Sequence, residues 1–179
     1  MDARQVARAG VGVALLAVSA WVSIPFGPVP FTLQTMALAV LPAALDQGAA
    51  ILAVVCYVLL GGVGLPVFAG FAGGVGVLAG PTGGFLWGFI LGMIAATACV
   101  RTLSKRRSVY ASAVLADIVM LLVSYACGAL QLMVVGSMGL VTALLVAVVP
   151  FVIPDAVKLV LGARLGCTVA RAAGADRLP

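Results

Sequence analysis

Residues 140–161 read LVTALLVAVVPFVIPDAVKLVL, and this stretch decides the fold. It is long and apolar enough to cross a bilayer, which takes about 20 residues. Yet it carries Asp155 and Lys158, three positions apart. Each such ion at the centre of a spanning helix costs about 2.5–3.5 kcal/mol on insertion scales. Residues at i and i+3 share one helix face. The pair therefore points at a single place, and that place is not lipid. A pocket for a polar small molecule accounts for it. The alternative is a mutual ion pair that locks a helix bundle, but desolvation offsets most of the attraction in such pairs. Pro150 and Pro154 free backbone carbonyls and bend the helix near the pair. If Arg171 marks the membrane edge, Lys158 stands about 20 Å above it; if Arg164 does, about 9 Å. The first placement puts the pair nearer the far side of the membrane and is the reading adopted.

The rest of the chain agrees with a membrane protein. Of 179 residues, 64% are hydrophobic and 8% charged, with a mean hydropathy of +1.29. Soluble domains carry about 25% charged residues. The net charge of +5 reads as the excess of Lys and Arg in cytoplasmic loops, not as affinity for nucleic acid. There is no His, which excludes a His-based metal site or general base. Cys56, Cys99, Cys127 and Cys167 have no C-x-x-C spacing and read as small buried hydrophobes. Arg4 and Arg8 before an apolar run, with Val18-Ser19-Ala20 after it, resemble a cleavable signal. A retained first helix is expected instead, because the remaining chain is equally hydrophobic.

The expected fold is an all-α integral membrane protein, one six-helix domain over residues 1–179. The expected segments are 5–24, 31–45, 47–61, 81–101, 108–135 and 139–170. Pro25, Pro28 and Pro30 end the first. Asp46-Gln47 forms a tight turn between the second and third. Basic residues check the count: Arg4 and Arg8 begin the chain, Arg101, Lys105, Arg106 and Arg107 separate segments four and five, and Arg164, Arg171 and Arg177 close it. With six spans and both termini cytoplasmic, all Lys and Arg except Lys158 lie on the cytoplasmic side. An odd count would place one basic cluster outside.

Small residues recur at helical spacing. Gly84, Gly88, Gly92 and Ala96 form one stripe, and Gly162, Gly166 and Ala170 another. Such stripes let helices approach closely in lipid, and internal packing is expected for both. Ala3, Ala7, Gly10, Ala14 and Ala17 form a third stripe that reaches the cytoplasmic end, where an external partner has access to it.

Residues 61–84, GGVGLPVFAGFAGGVGVLAGPTGG, are too rich in glycine for a regular spanning helix and too apolar for an exposed loop. Irregular backbone at membrane depth survives only against protein or a cavity. The stretch reads as a Gly-rich outer cap between the third and fourth helices. A phosphate-cradling loop is excluded, since no Gly-Lys-Ser/Thr follows. Thr32, Gln34 and Thr35 either cap the second helix or face the same pocket. Asp117 is a lone acid in segment five, with a pocket role and a partner role to Lys158 or a hydroxyl both open. Trp21 and Trp87 are expected as interface anchors.

Four motifs carry a family resemblance: residues 30–35 (PFTLQT), 61–70 (GGVGLPVFAG), 80–89 (GPTGGFLWGF) and 154–158 (PDAVK). In order and spacing they resemble the BioY family, the biotin-binding substrate-capture subunits of energy-coupling-factor transporters. The resemblance implies a site near the outer surface of a bacterial or archaeal cytoplasmic membrane, with Asp155 and Lys158 on biotin. It implies partners as well: a transmembrane coupling protein and two ATPases, met through small residues of the first helix, here Ala3, Ala7, Gly10 and Ala14. Segment five departs from the family pattern at Gln131, where an aromatic is frequent. Biotin chemistry suits the pair. Its cyclic urea offers two N–H donors and a carbonyl, and its tail a carboxylate. Phe31, Phe68, Phe71 and Phe85 are expected as apolar walls, with Thr32, Gln34, Asp117 and Tyr125 as further contacts. No cofactor and no catalysis are expected, and no nucleic acid. The alternatives are an intramembrane enzyme, which would lack a convincing nucleophile and base, and a capture subunit for another vitamin.

The charge pattern makes a direct prediction. Cysteines placed at Ser104 and Ser108 should react with an impermeant maleimide only from the cytoplasmic side, and one at Ala79 only from outside. Labelling of position 104 in intact cells would overturn the six-span topology.

Overall fold

The computed structural model describes residues 2–25 and 27–174; Arg177 lies outside them. Helix α1 (Ala3–Trp21) opens with a capping box in which Asp2 and Gln5 satisfy each other's backbone N–H. A two-residue hairpin follows, β1 (Ser23–Ile24) against β2 (Phe31–Thr32), with Ser23 opposite Thr32. The second helix therefore begins later than the sequence suggests. α2 spans Gln34–Ala44, because residues 31 and 32 are spent on strand pairing. Leu33 occupies its N-cap with no side-chain bond; the Thr32 hydroxyl instead accepts from Gln34 N at 3.3 Å, and the Thr35 hydroxyl points to the last helix. α3 (Gln47–Gly62) packs beside α1. Gly12 permits this, since a Cβ there would lie 2.9 Å from Ala53 Cβ.

Between α3 and α5 the chain makes a single turn of 3-10 helix (Ala69–Phe71) and the five-residue α4 (Val75–Ala79). Gly64, Gly70 and Gly74 all hold positive φ in this stretch, which is why no regular helix crosses it. α5 (Gly83–Leu103) and α6 (Val109–Val135) make the most extensive helix pairing. Their seam is made of bare backbone. A Cβ at Gly88 would stand 2.6 Å from Ser124 Cα, and one at Gly92 would stand 2.8 Å from Met120 O. The final segment is broken. α7 (Leu140–Ala147) and α8 (Val149–Ala172) meet at 43°. The break falls at Val148, so Pro150 sits in the first turn of α8, where its missing N–H does no harm.

Among the described residues, α5 and α6 are long and apolar enough to cross a membrane. The bent pair α7–α8 makes a third span if taken as one, while α2 and α3 are shorter apolar helices. α8 lies in the groove of α2. A Cβ at Gly162 would come within 2.6 Å of Met36 O and one at Gly166 within 2.6 Å of Val40 O. Both internal stripes of the sequence are thus helix contacts. The α2–α8 seam also sets the height of Asp155 and Lys158 against residues 32–35.

Gly162→Leu should therefore destabilise the bundle by about 3 kcal/mol, since the obstacle is a backbone carbonyl that cannot rotate away. Denaturant titration of the protein in detergent micelles measures this, and wild-type stability would contradict the close approach of α2 and α8.

Candidate functional site

Asp155 and Lys158 project from adjacent turns of α8 and are both buried. They bind each other, with Lys158 Nζ 2.9 Å from Asp155 Oδ1. Three further elements complete the shell. Thr35 of α2 donates its hydroxyl to Asp155 Oδ1 at 2.9 Å. Tyr125 of α6 donates to Oδ2 at 2.7 Å. The backbone carbonyl of Thr32 in β2 accepts from Lys158 Nζ at 2.7 Å. The ammonium also stands 3.6 Å above the centroid of the Phe31 ring, a cation–π contact. A buried ion pair holds only when its remaining lone pairs and protons are matched, and here two helices and a strand match them.

The pair lines a cavity of about 300 Å³ at the end of the bundle opposite the 101–107 turn. That volume is at the small end of ligand pockets. Thr32, Gln34, Tyr125, Phe68 and Phe85 share its wall, as expected from sequence. The wall also includes Gly76, Val77 and Gly80 from the segment between α3 and α5, and Ala147 and Phe151 at the break in the last segment. A carboxylate offers about four acceptor positions and an ammonium three donors. The internal bonds leave room for one more donor at Asp155, while the third face of Lys158 is taken by Phe31. The polar end of the cavity is pre-paired but not saturated.

Three expected site residues stand elsewhere. Phe31 lies behind the wall, under Lys158 and stacked on Phe151 at 6.3 Å between centroids. Phe71 is turned outward because Gly70 and Phe71 both take positive φ. The residue is 61% exposed, and its ring stacks on Trp21 at 5.2 Å between centroids. Asp117 is fully buried below the cavity, and neither carboxyl oxygen has a hydrogen-bond partner. It sits eight residues from Tyr125 along α6, about 12 Å at 1.5 Å per residue, toward the 101–107 turn. Lys158 is engaged by Asp155 and Thr32, not by Asp117.

Other polar residues were not legible as part of the site. Tyr57 of α3 is wholly buried and accepts from Gln34 Nε2 at 2.7 Å, while Thr32 donates to Gln34 Oε1 at 3.0 Å. This chain of bonds engages both ends of the Gln34 amide and fixes its orientation at the cavity wall. A single tyrosine in an apolar helix gives no signal of its own. Gln131 donates through one nitrogen to Leu78 O at 2.9 Å and Gly80 O at 2.7 Å. Trp21, expected as an interface anchor, donates its indole N–H to Pro66 O at 2.8 Å.

Comparison with known proteins bears on family and fold. A model described as the BioY family matches residues 1–175. A biotin transporter BioY of Thermotoga maritima is 43% identical over 160 residues, covering 89% of this chain and 92% of that protein. A probable biotin transporter BioY of Pyrococcus horikoshii is 34% identical over 158 residues, covering 88% and 91%. Among solved structures, the crystal structure at 2.1 Å of the S-component for biotin from an ECF-type ABC transporter shares the fold. Its TM-score is 0.87, over 96% of this chain and 95% of that one, at 20% identity.

Proposed function

This chain belongs to the BioY family, and from that premise we propose that Asp155 and Lys158 hold biotin in the cavity that they line. The chain is a biotin-binding transport subunit of the energy-coupling-factor type and not an enzyme. The observation that carries the site assignment is the buried pair at a cavity wall, paired internally yet with acceptor capacity left on Asp155. A urea N–H of biotin takes that position, in a charge-assisted bond made strong by the dry surroundings. The ammonium of Lys158, held by the Thr32 carbonyl and Phe31, exchanges its internal contacts for the urea oxygen or the tail carboxylate. Phe68 and Phe85 contribute apolar wall, and Gln34, Thr32 and Tyr125 the remaining polar edge. Phe31 acts from behind Lys158. Phe71 and Asp117 are not assigned to the ligand.

The same reading covers topology and partners. The described chain forms one six-span domain in the cytoplasmic membrane, with α7 and α8 as a single bent span and both termini on the cytoplasmic side. The glycine-rich segment 63–82 is its outer cap. A transmembrane coupling protein and two ATPases supply the energy. Ala3, Ala7, Gly10 and Ala14 are the docking strip for the coupling protein. All four are exposed, while Ala9, Gly12 and Leu16 on the opposite face of α1 are buried. Small exposed residues in a row admit a partner helix closely.

Asp155→Asn and Lys158→Met should each weaken biotin binding by about 2–5 kcal/mol while the protein still folds. Isothermal titration against biotin and other vitamins reads the effect and the specificity together, and a near-native titration would overturn the assignment. Placing Trp at Ala7 or Ala14 should leave biotin binding intact and abolish co-purification with the coupling complex and active uptake. Loss of binding with retained assembly would mean that the strip packs internally.

A further inference from the structure

α4 has five residues and cannot stand alone, since a single helical turn does not repay its own nucleation. Yet Gly76, Val77 and Gly80, in it and just after it, form part of the ligand wall. Something else must hold this segment. Among the described residues, hydrogen bonds reach residues 63–82 from α1, α3, α5 and α6. Trp21 at the end of α1 takes Pro66 O. Gly61 O of α3 accepts from Gly74 N at 2.6 Å. At the start of α5, Gly83 N donates to Gly80 O at 3.1 Å and Phe85 N to Thr82 O at 3.2 Å. From α6, Gln131 is the side chain that grips the end of α4.

Gln131 is well matched to that task. The last carbonyls of a helix have no intrahelical donor, and Leu78 O and Gly80 O straddle the C-terminal end of α4. The side-chain amide has two N–H groups, and each is directed to one of these carbonyls. The approach is tight: a Cβ at Gly83 would come within 2.7 Å of Gln131 Nε2, and one at Gly84 within 2.7 Å of Gln131 Cβ. Leu78 and Gly80 thus close onto α6 through one side chain, while α4 also packs on α3 and α5 and Gly80 O accepts from Gly83 N as well.

We propose that Gln131 is a positioning residue for biotin capture, the clasp that holds the 75–82 wall against α6 and so sets how fast ligand enters and leaves. This rests on the assignment of the cavity to biotin. The clasp does not touch the ligand. Loosening it raises the population of an open wall in both the free and the bound protein, so the association and dissociation rates rise together and the equilibrium constant moves less than either. A residue that merely supported the fold would instead weaken affinity and stability with no such pairing of rates.

The test is stopped-flow exchange of biotin on purified wild type, Gln131→Met and Gln131→Glu. Both variants keep the length of the side chain, and neither offers the paired donors at neutral pH. Dissociation should accelerate about tenfold, as expected for the loss of two neutral hydrogen bonds, with association faster in the same direction. Hydrogen–deuterium exchange without ligand should quicken over residues 75–82 and stay unchanged in the middle of α6. If Met or Glu unfolds the protein, Gln131→Asn retracts the same amide by one methylene and is read in the same way. Unchanged rates in variants that fold, or faster release with unchanged exchange over 75–82, would overturn the clasp. Absence of biotin binding by wild type would instead overturn the assignment of the cavity, which separates the two failures.

Discussion

Two opposite charges have to be kept in a bundle that otherwise excludes water, and the architecture around them follows from that demand. Neither Asp155 nor Lys158 is stable there alone. Their mutual bond is short of what burial costs, so the balance comes from Thr35, Tyr125 and the Thr32 carbonyl. Those three groups belong to α2, α6 and β2. Each must arrive at the right height on α8, and the glycines of the helix seams set those heights. Gly162 and Gly166 bring α8 onto the backbone of α2. The hairpin that delays α2 until Gln34 delivers the Thr32 carbonyl. Packing that looks generic is therefore the positional frame of one polar cluster.

Legibility in the sequence tracked how much each residue departed from its surroundings. Asp155 and Lys158 stood out because hydrocarbon penalises ions, and the glycine stripes stood out because their spacing repeats with the helix. The long apolar helices followed from length alone. What failed to show was anything decided by backbone direction or by long-range partners. Phe71 looks like a wall residue until the positive φ at positions 70 and 71 turns its ring toward Trp21. Asp117 looks like a pocket acid until its depth along α6 is known. Tyr57 and Gln131 carry ordinary side chains whose roles exist only through contacts more than twenty residues away. The strand at Phe31–Thr32 is two residues long, too short for any alternation to register.

The chain of bonds Thr32–Gln34–Tyr57 and the clasp at Gln131 share a logic. Both use neutral amides to satisfy groups that the irregular segments leave open, the first behind the polar end of the cavity, the second at its wall. An amide serves here because it is donor and acceptor at once and adds no ion to the bilayer interior. Among the described residues, buried acidic and basic side chains are thereby confined to the Asp155–Lys158 pair and to Asp117, whose oxygens find no partner.

That both ions ride on one helix, a turn apart, has an electrical consequence. Whatever tilt or translation α8 undergoes, the carboxylate and the ammonium travel together. Their sum crosses the field of the bilayer as a small dipole and not as a charge. A lone cation moved through the full membrane potential would do about 2.3 kcal/mol of work per 100 mV. The share of that work due to the buried pair is close to zero, because its two charges cancel wherever the helix carries them.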